Sequence, residues 1–198
     1  GIAGYFQAGE DVNYITLSTE GEKEDTYGTI FHEYVHNILS TNFGSGNIPP
    51  WFNEGLAEYY QMFQIEDDQK VALGRIQNVH LELLQRTKLI PLKQFFAIDN
   101  YSLHQNGNHS RSIFYAQAWA LVHYLIQANG GAILEAIGNF LKLSMGGTEP
   151  EEAFRQAFKS DYAAMERSLK NYVEQRKFFY TTVTFTKKLT FDDQMKVS

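Results

Sequence analysis

The chain has no cysteine among its 198 residues, so disulfides and thiolate ligands are both excluded and any transition metal must be held by imidazole and carboxylate. That absence leaves the compartment open. No apolar run approaches the roughly 20 residues needed to cross a bilayer, and Gly1 opens the chain with neither an initiator methionine nor a signal-like apolar stretch. The sequence therefore reads as a mature form or an excised piece, with no membrane segment. Positive charge is scarce as well. The 17 Lys and Arg against 23 Asp and Glu give a formal charge of -6 and a pI near 5.5, and the cations are scattered. Without a basic cluster, nucleic acid and anionic lipid are not expected partners.

What the chain does have is apolar and aromatic substance: 43% hydrophobic residues, with 12 Tyr and 15 Phe, which excludes disordered and fibrous classes. Its length suits one domain with a real core. The Gly spacing over 1–10 suggests a turn or hairpin, and Asn13 to Ser18 (NYITLS) reads as an exposed strand. Apolar residues at helical spacing then predict helices over 23–39, 51–63, 70–87, 111–127, 131–142, 149–159 and 161–177, with Pro50 suited to the first position of the second. Residues 98–110 read as a long polar loop, and 178–198 as a strand-like alternation and polar tail, or the start of a further C-terminal region. The expected fold class is α+β, mostly α, with a small N-terminal β region.

The chemistry concentrates in His32, Glu33, Tyr34, Val35 and His36, an HExxH motif. On a helix, positions i and i+4 lie nearly above one another, so both imidazoles face one point. Glu33 sits about 100° around the helix from His32, where it can flank a metal without ligating it, as a general base does. Seventeen residues separate His36 from Glu54, which stands in Trp51, Phe52, Asn53, Glu54, Gly55, Leu56, Ala57, Glu58. A catalytic zinc wants three protein ligands and one open position, and His, His and Glu is a known set. Glu54 completes it. Glu58, one turn on, falls on the same face and is placed to accept the other ring N–H of His32 or His36. The competing readings are a chance HExxH on a surface helix and a solvated helix face for the two glutamates.

HEYVH followed by WFNEGLAEYY resembles the gluzincin metallopeptidases, the group that includes thermolysin and the alanyl aminopeptidases, in which a glutamate on a second helix is the third ligand. The Asn-Glu-Gly form is similar to the aminopeptidase branch, and more so to a group of bacterial proteins read as zinc peptidases that carry NEGxAEY. Residues 114–125 (FYAQAWALVHYL) resemble the downstream helix of these families, in which a tyrosine contacts the tetrahedral intermediate; by that resemblance Tyr115 stabilises the oxyanion. The similarity spans about residues 14–124 and implies a zincin-like peptidase domain over 1–177, one zinc ion per chain and a peptide or protein substrate. The substrate could add to the strand at 13–18 as an extra strand. The aminopeptidases' Gly-x-Met-Glu-Asn segment is missing, so the resemblance does not extend to aminopeptidase activity.

Four further histidines carry less. His80 reads as a helix-surface residue, His123 as a partly buried structural one, and His104 and His109 as residues of the polar loop placed to line a cleft. Two rival functions stand beside the peptidase. One is a catalytically degenerate module that binds zinc or peptide, against which Glu33 speaks, since a base has no purpose in a merely structural site. The other is a globular interaction domain with an accidental motif.

Overall fold

The computed structural model describes residues 4–7, 14–17, 23–44, 48–105, 107–127, 133–175 and 177–188. Of these, 66% are helical, and the mostly α, α+β expectation holds. Strand β1 (Gly4–Gln7) pairs antiparallel with β2 (Tyr14–Leu17), Gly4 opposite Leu17 and Gln7 opposite Tyr14. This hairpin lies against α1 (Lys23–Phe43); Asn13 and Ser18 of the expected strand lie outside the described residues. Helix α1 runs four residues beyond the expected end, until Gly44 at φ 81 turns the chain and its N–H closes on the Ser40 carbonyl at 2.9 Å. Helix α2 (Pro50–Gln61) begins at Pro50 as expected.

The helix expected over 70–87 is corrected. In its place stand β4 (Lys70–Leu73) and α3 (Asn78–Arg86), separated by Gly74 at φ +73, a conformation that ends the strand and favours glycine. β4 pairs on one side with β3 (Gln64–Asp67), the Asp67 carboxylate accepting the Gln69 N–H at 2.8 Å in the connecting turn. On its other side it pairs with β5 (Thr181–Thr184), Val71 opposite Val183. The alternation over 180–185 therefore forms a strand of this three-stranded sheet, while the polar tail from 189 onward lies outside the described residues.

The loop expected over 98–110 is corrected too, because it holds α5 (Asn100–Gln105), whose first turn is capped by the Asp99 carboxylate on the Ser102 N–H at 2.7 Å. Helix α6 (Asn108–Gln127) follows at once. A short α4 (Leu92–Phe96), unforeseen in the sequence, is held by the Glu166 carboxylate, which accepts the Leu92 N–H at 2.6 Å. The remaining helices are α7 (Ile133–Met145), α8 (Pro150–Phe158) and α9 (Tyr162–Glu174).

Helix α6 is the axis of the molecule. Phe114, Ala116, Ala118, Trp119, Ala120, Leu121, Val122 and Leu125 are all buried, with Gln117 and His123 the buried polar residues among them, so its surface is mostly apolar, as suits a helix enclosed by others. α2, α3 and α9 pack around it. An aromatic cluster of Trp51, Phe96, Phe140, Phe154 and Tyr162, with ring centroids 5.0–6.2 Å apart, ties α2 to α4, α7, α8 and α9. No helix among the described residues is long and apolar enough to cross a membrane.

Candidate metal centre

Two close helix approaches build the centre. Helix α2 lies on α6 at Gly55, where an added Cβ would stand 2.4 Å from the Ala118 carbonyl oxygen. No larger residue fits there without moving a helix. The far end of α2 lies on α1 at Gly28, where a Cβ would be 3.1 Å from the Gln61 carbonyl oxygen. These contacts clamp α2 between the helix that carries His32 and His36 and the helix that carries Tyr115.

Within that clamp His32 Nε2 lies 3.6 Å, and His36 Nε2 3.5 Å, from the same Glu54 oxygen, Oε2. The rings stand 4.8 Å apart, centroid to centroid, nearly perpendicular. In a tetrahedral site with bonds of about 2.05 Å, neighbouring ligand atoms are separated by about 3.4 Å, so the two nitrogen-to-oxygen spacings fit a single small cation. Among the described residues His32, His36 and Glu54 form the group that can hold a metal ion, with ligand atoms all within 4.8 Å of one another.

The ring orientations are fixed from behind. His32 Nδ1–H donates to Gln61 Oε1 at 3.1 Å, and His36 Nδ1–H donates to Asn53 Oδ1 at 3.1 Å. An amide oxygen only accepts, so each Nδ1 carries a proton, and each Nε2, which faces Glu54, is the nitrogen left for a metal. Burial alone would lower the pKa of His32, but the Glu54 carboxylate beside it, with the charges of Glu58 and Glu33, outweighs that, and the net shift is upward. Burial opposes the charge on Glu54, yet its contacts with His32 and His36 outweigh that and bring its pKa down to about 2. Glu54 is thus an anion at every physiological pH, as a metal ligand must be.

Glu33 is buried, at 7% exposure, and its charge reaches both His32 and Tyr115. Tyr115 is partly buried. Desolvation raises its pKa first, and the charges of Glu54, Glu58 and Glu33 raise it further against the opposing Arg111. Its hydroxyl therefore keeps its proton and is a hydrogen-bond donor near neutrality. Glu58 does not take the ring hydrogen bond assigned to it from the sequence. Its Oε1 lies 3.9 Å from His32 Nδ1, beyond hydrogen-bonding range, while its Oε2 accepts from His80 Nε2 at 3.0 Å.

His80 is accordingly no surface residue but a partly buried partner of Glu58. Asn53, Gln61 and His80 were all missed from the sequence. Asn53 alone had a local signal there, standing directly before Glu54. His123 is fully buried and structural: its Nε2–H donates to the Gly74 carbonyl at 2.8 Å, and its Nδ1 accepts from the Tyr172 hydroxyl at 2.7 Å. His109 is exposed at the start of α6, and the His104 side chain lies outside the described residues.

The fold and the centre together define a mostly helical α+β protein with a histidine–histidine–glutamate group competent to hold a metal. Residues 26–143, more than half of the chain and the stretch containing every residue of the centre, match the family described as a protein of unknown function, DUF1570. The chain belongs to that family. It matches no curated protein and no solved structure.

Proposed function

We propose that this protein is a zinc-dependent peptidase of the gluzincin type. The observation that carries this reading is the convergence of His32 Nε2 and His36 Nε2 on one oxygen of Glu54, with a buried carboxylate, Glu33, beside them and outside the ligand set. The donor set of two imidazoles and one carboxylate, without thiolate, suits a catalytic zinc with one open position. Bound there, zinc supplies Lewis acidity and lowers the pKa of water toward about 7.

The chain's own residues supply the rest. Glu33 takes the proton of the attacking water and later hands it to the departing amine. Tyr115, held protonated by its surroundings, donates its O–H to the carbonyl oxygen as negative charge develops on it. Asn53 and Gln61 keep the two rings in the tautomer the ligands need. A module that merely held a metal would have no use for Glu33.

The test measures zinc content and turnover of a peptide library on the same preparations. Glu33→Gln is expected to keep about one zinc per chain and lose turnover by roughly 100- to 10,000-fold, because an amide cannot accept the proton. Tyr115→Phe is expected to keep zinc and lose at least about 100-fold in kcat. Wild-type turnover in Glu33→Gln sinks the mechanism, and a zinc-loaded wild type that cleaves nothing favours the degenerate binding module.

A further inference from the structure

Glu58 is a carboxylate at 8% exposure in a region that already holds Glu33 and Glu54. A buried carboxylate needs donors, and like charges nearby raise the cost of leaving it bare. Its donor comes from outside the α1–α2 pair. His80, on α3, places Nε2 3.0 Å from Glu58 Oε2, and its ring stands 6.0 Å from that of the buried Trp119 on α6. The carboxylate is planar and rigid, so fixing Oε2 on His80 fixes Oε1 as well, 3.9 Å from His32 Nδ1. Gln61 takes the His32 N–H as a hydrogen bond, whereas Glu58 supplies negative charge beside it. Charge behind a ligating imidazole raises the electron density at the nitrogen facing the metal.

We infer that His80 is a positioning residue of the metal centre: it anchors Glu58, and through Glu58 it strengthens His32 as a metal ligand. The inference rests on the metal reading of His32, His36 and Glu54 and extends the centre to a third helix, α3. His80 touches no ligand itself. Its influence must therefore vanish when Glu58 can no longer carry charge, whereas a general packing role would persist.

The experiment measures zinc affinity by competition with a chromophoric chelator, together with the thermal midpoint of the chelator-treated protein. His80→Phe keeps a flat ring against Trp119 and removes the donor; it is expected to weaken zinc binding roughly 10- to 100-fold. His80→Gln, which restores an N–H at similar reach, is expected to stay within about threefold of wild type. In a Glu58→Gln background, His80→Phe is expected to add nothing further. Should His80→Phe fail to fold, His80→Leu takes its place. Unchanged affinity in His80→Phe, no rescue by His80→Gln, or an undiminished effect in the Glu58→Gln background each overturns the role of His80. A wild-type protein that binds no zinc overturns the metal reading itself.

Discussion

His32 and His36 are partly exposed, whereas His123 is fully buried, and the same side chain does opposite things in the two places. At His123 both ring nitrogens are consumed by the protein, one by the Gly74 carbonyl and one by the Tyr172 hydroxyl. Nothing is left for a ligand, and the ring works as a bolt joining α6, α9 and the turn after β4. At His32 and His36 one nitrogen is held by an amide oxygen, and the other is aimed at the carboxylate of Glu54. The lesson is that a half-satisfied histidine pair beside an anion is a site, while a fully satisfied histidine is structure. The use of the ring nitrogens, more than depth, defines the difference.

Removing one histidine from each region breaks the comparison most sharply. His36→Ala is expected to weaken zinc binding beyond the roughly 100-fold that loss of an outer partner costs, while the stability of the metal-free fold moves by no more than about 1 kcal/mol. His123→Ala is expected to leave zinc affinity unchanged and to cost about 3–5 kcal/mol, from the cavity and from the stranded Gly74 carbonyl and Tyr172 hydroxyl. Chelator competition and urea unfolding of the chelator-treated proteins measure the two quantities. A zinc defect in His123→Ala, or a large loss of stability in His36→Ala, would erase the distinction.

Acid separates the two regions by sign. Burial, opposed by the Gly74 hydrogen bond, lowers the pKa of His123 to about 4 from the ordinary 6.5. Between these values the unfolded chain binds the proton and the folded chain does not, so stability rises with pH across that window. The contribution is full above pH 6.5, is lost as pH falls toward 4, and is flat below, a span of about 3 kcal/mol. His32, shifted upward, works the other way in the metal-free protein: its contribution is full below 6.5 and fades at higher pH. The difference in unfolding free energy between wild type and His123→Gln, followed by urea titration from pH 4 to 7, isolates the first effect. A difference that does not change with pH would mean that His123 is not held neutral.

The two regions also differ in how far the sequence discloses them. The pairing of His32 with His36 was legible because α1 is one uninterrupted helix and i, i+4 geometry is a local property. Glu54 was legible because Pro50 starts α2 and sets its register. Gln61 and His80 were not, since each depends on which helix lands on which neighbour; Gly28, which admits Gln61 against α1, says nothing in sequence about its partner. The sheet was missed for a related reason. β4 has only four residues, and its partner β5 lies 110 positions further on, so no local periodicity marks the pair. His123 was read as structural, but its partners Gly74 and Tyr172, each 49 residues away, were out of reach of any local pattern.

The smallest expected effect tests the amide lock itself, which is what distinguishes the metal-facing rings from His123. Asn53 stands immediately before Glu54, and its Oδ1 accepts from His36 Nδ1, so one stretch of α2 supplies both a candidate ligand and the group that orients another. Asn53→Ala deletes that acceptor. The His36 ring, whose side chain is 14% exposed, can then take a water in its place, which preserves the tautomer but not the orientation. Zinc affinity is therefore expected to fall by only about tenfold, the lower end for an outer partner of a ligating histidine. Asn53→Asp keeps an acceptor at the same place and adds charge, so it is expected to bind zinc at least as tightly as wild type. Affinities from chelator competition decide the matter. If Asn53→Ala binds as wild type does, helix packing alone aims His36, and the ring needs no lock; if Asn53→Asp is as weak as Asn53→Ala, the amide N–H rather than its oxygen is the working atom.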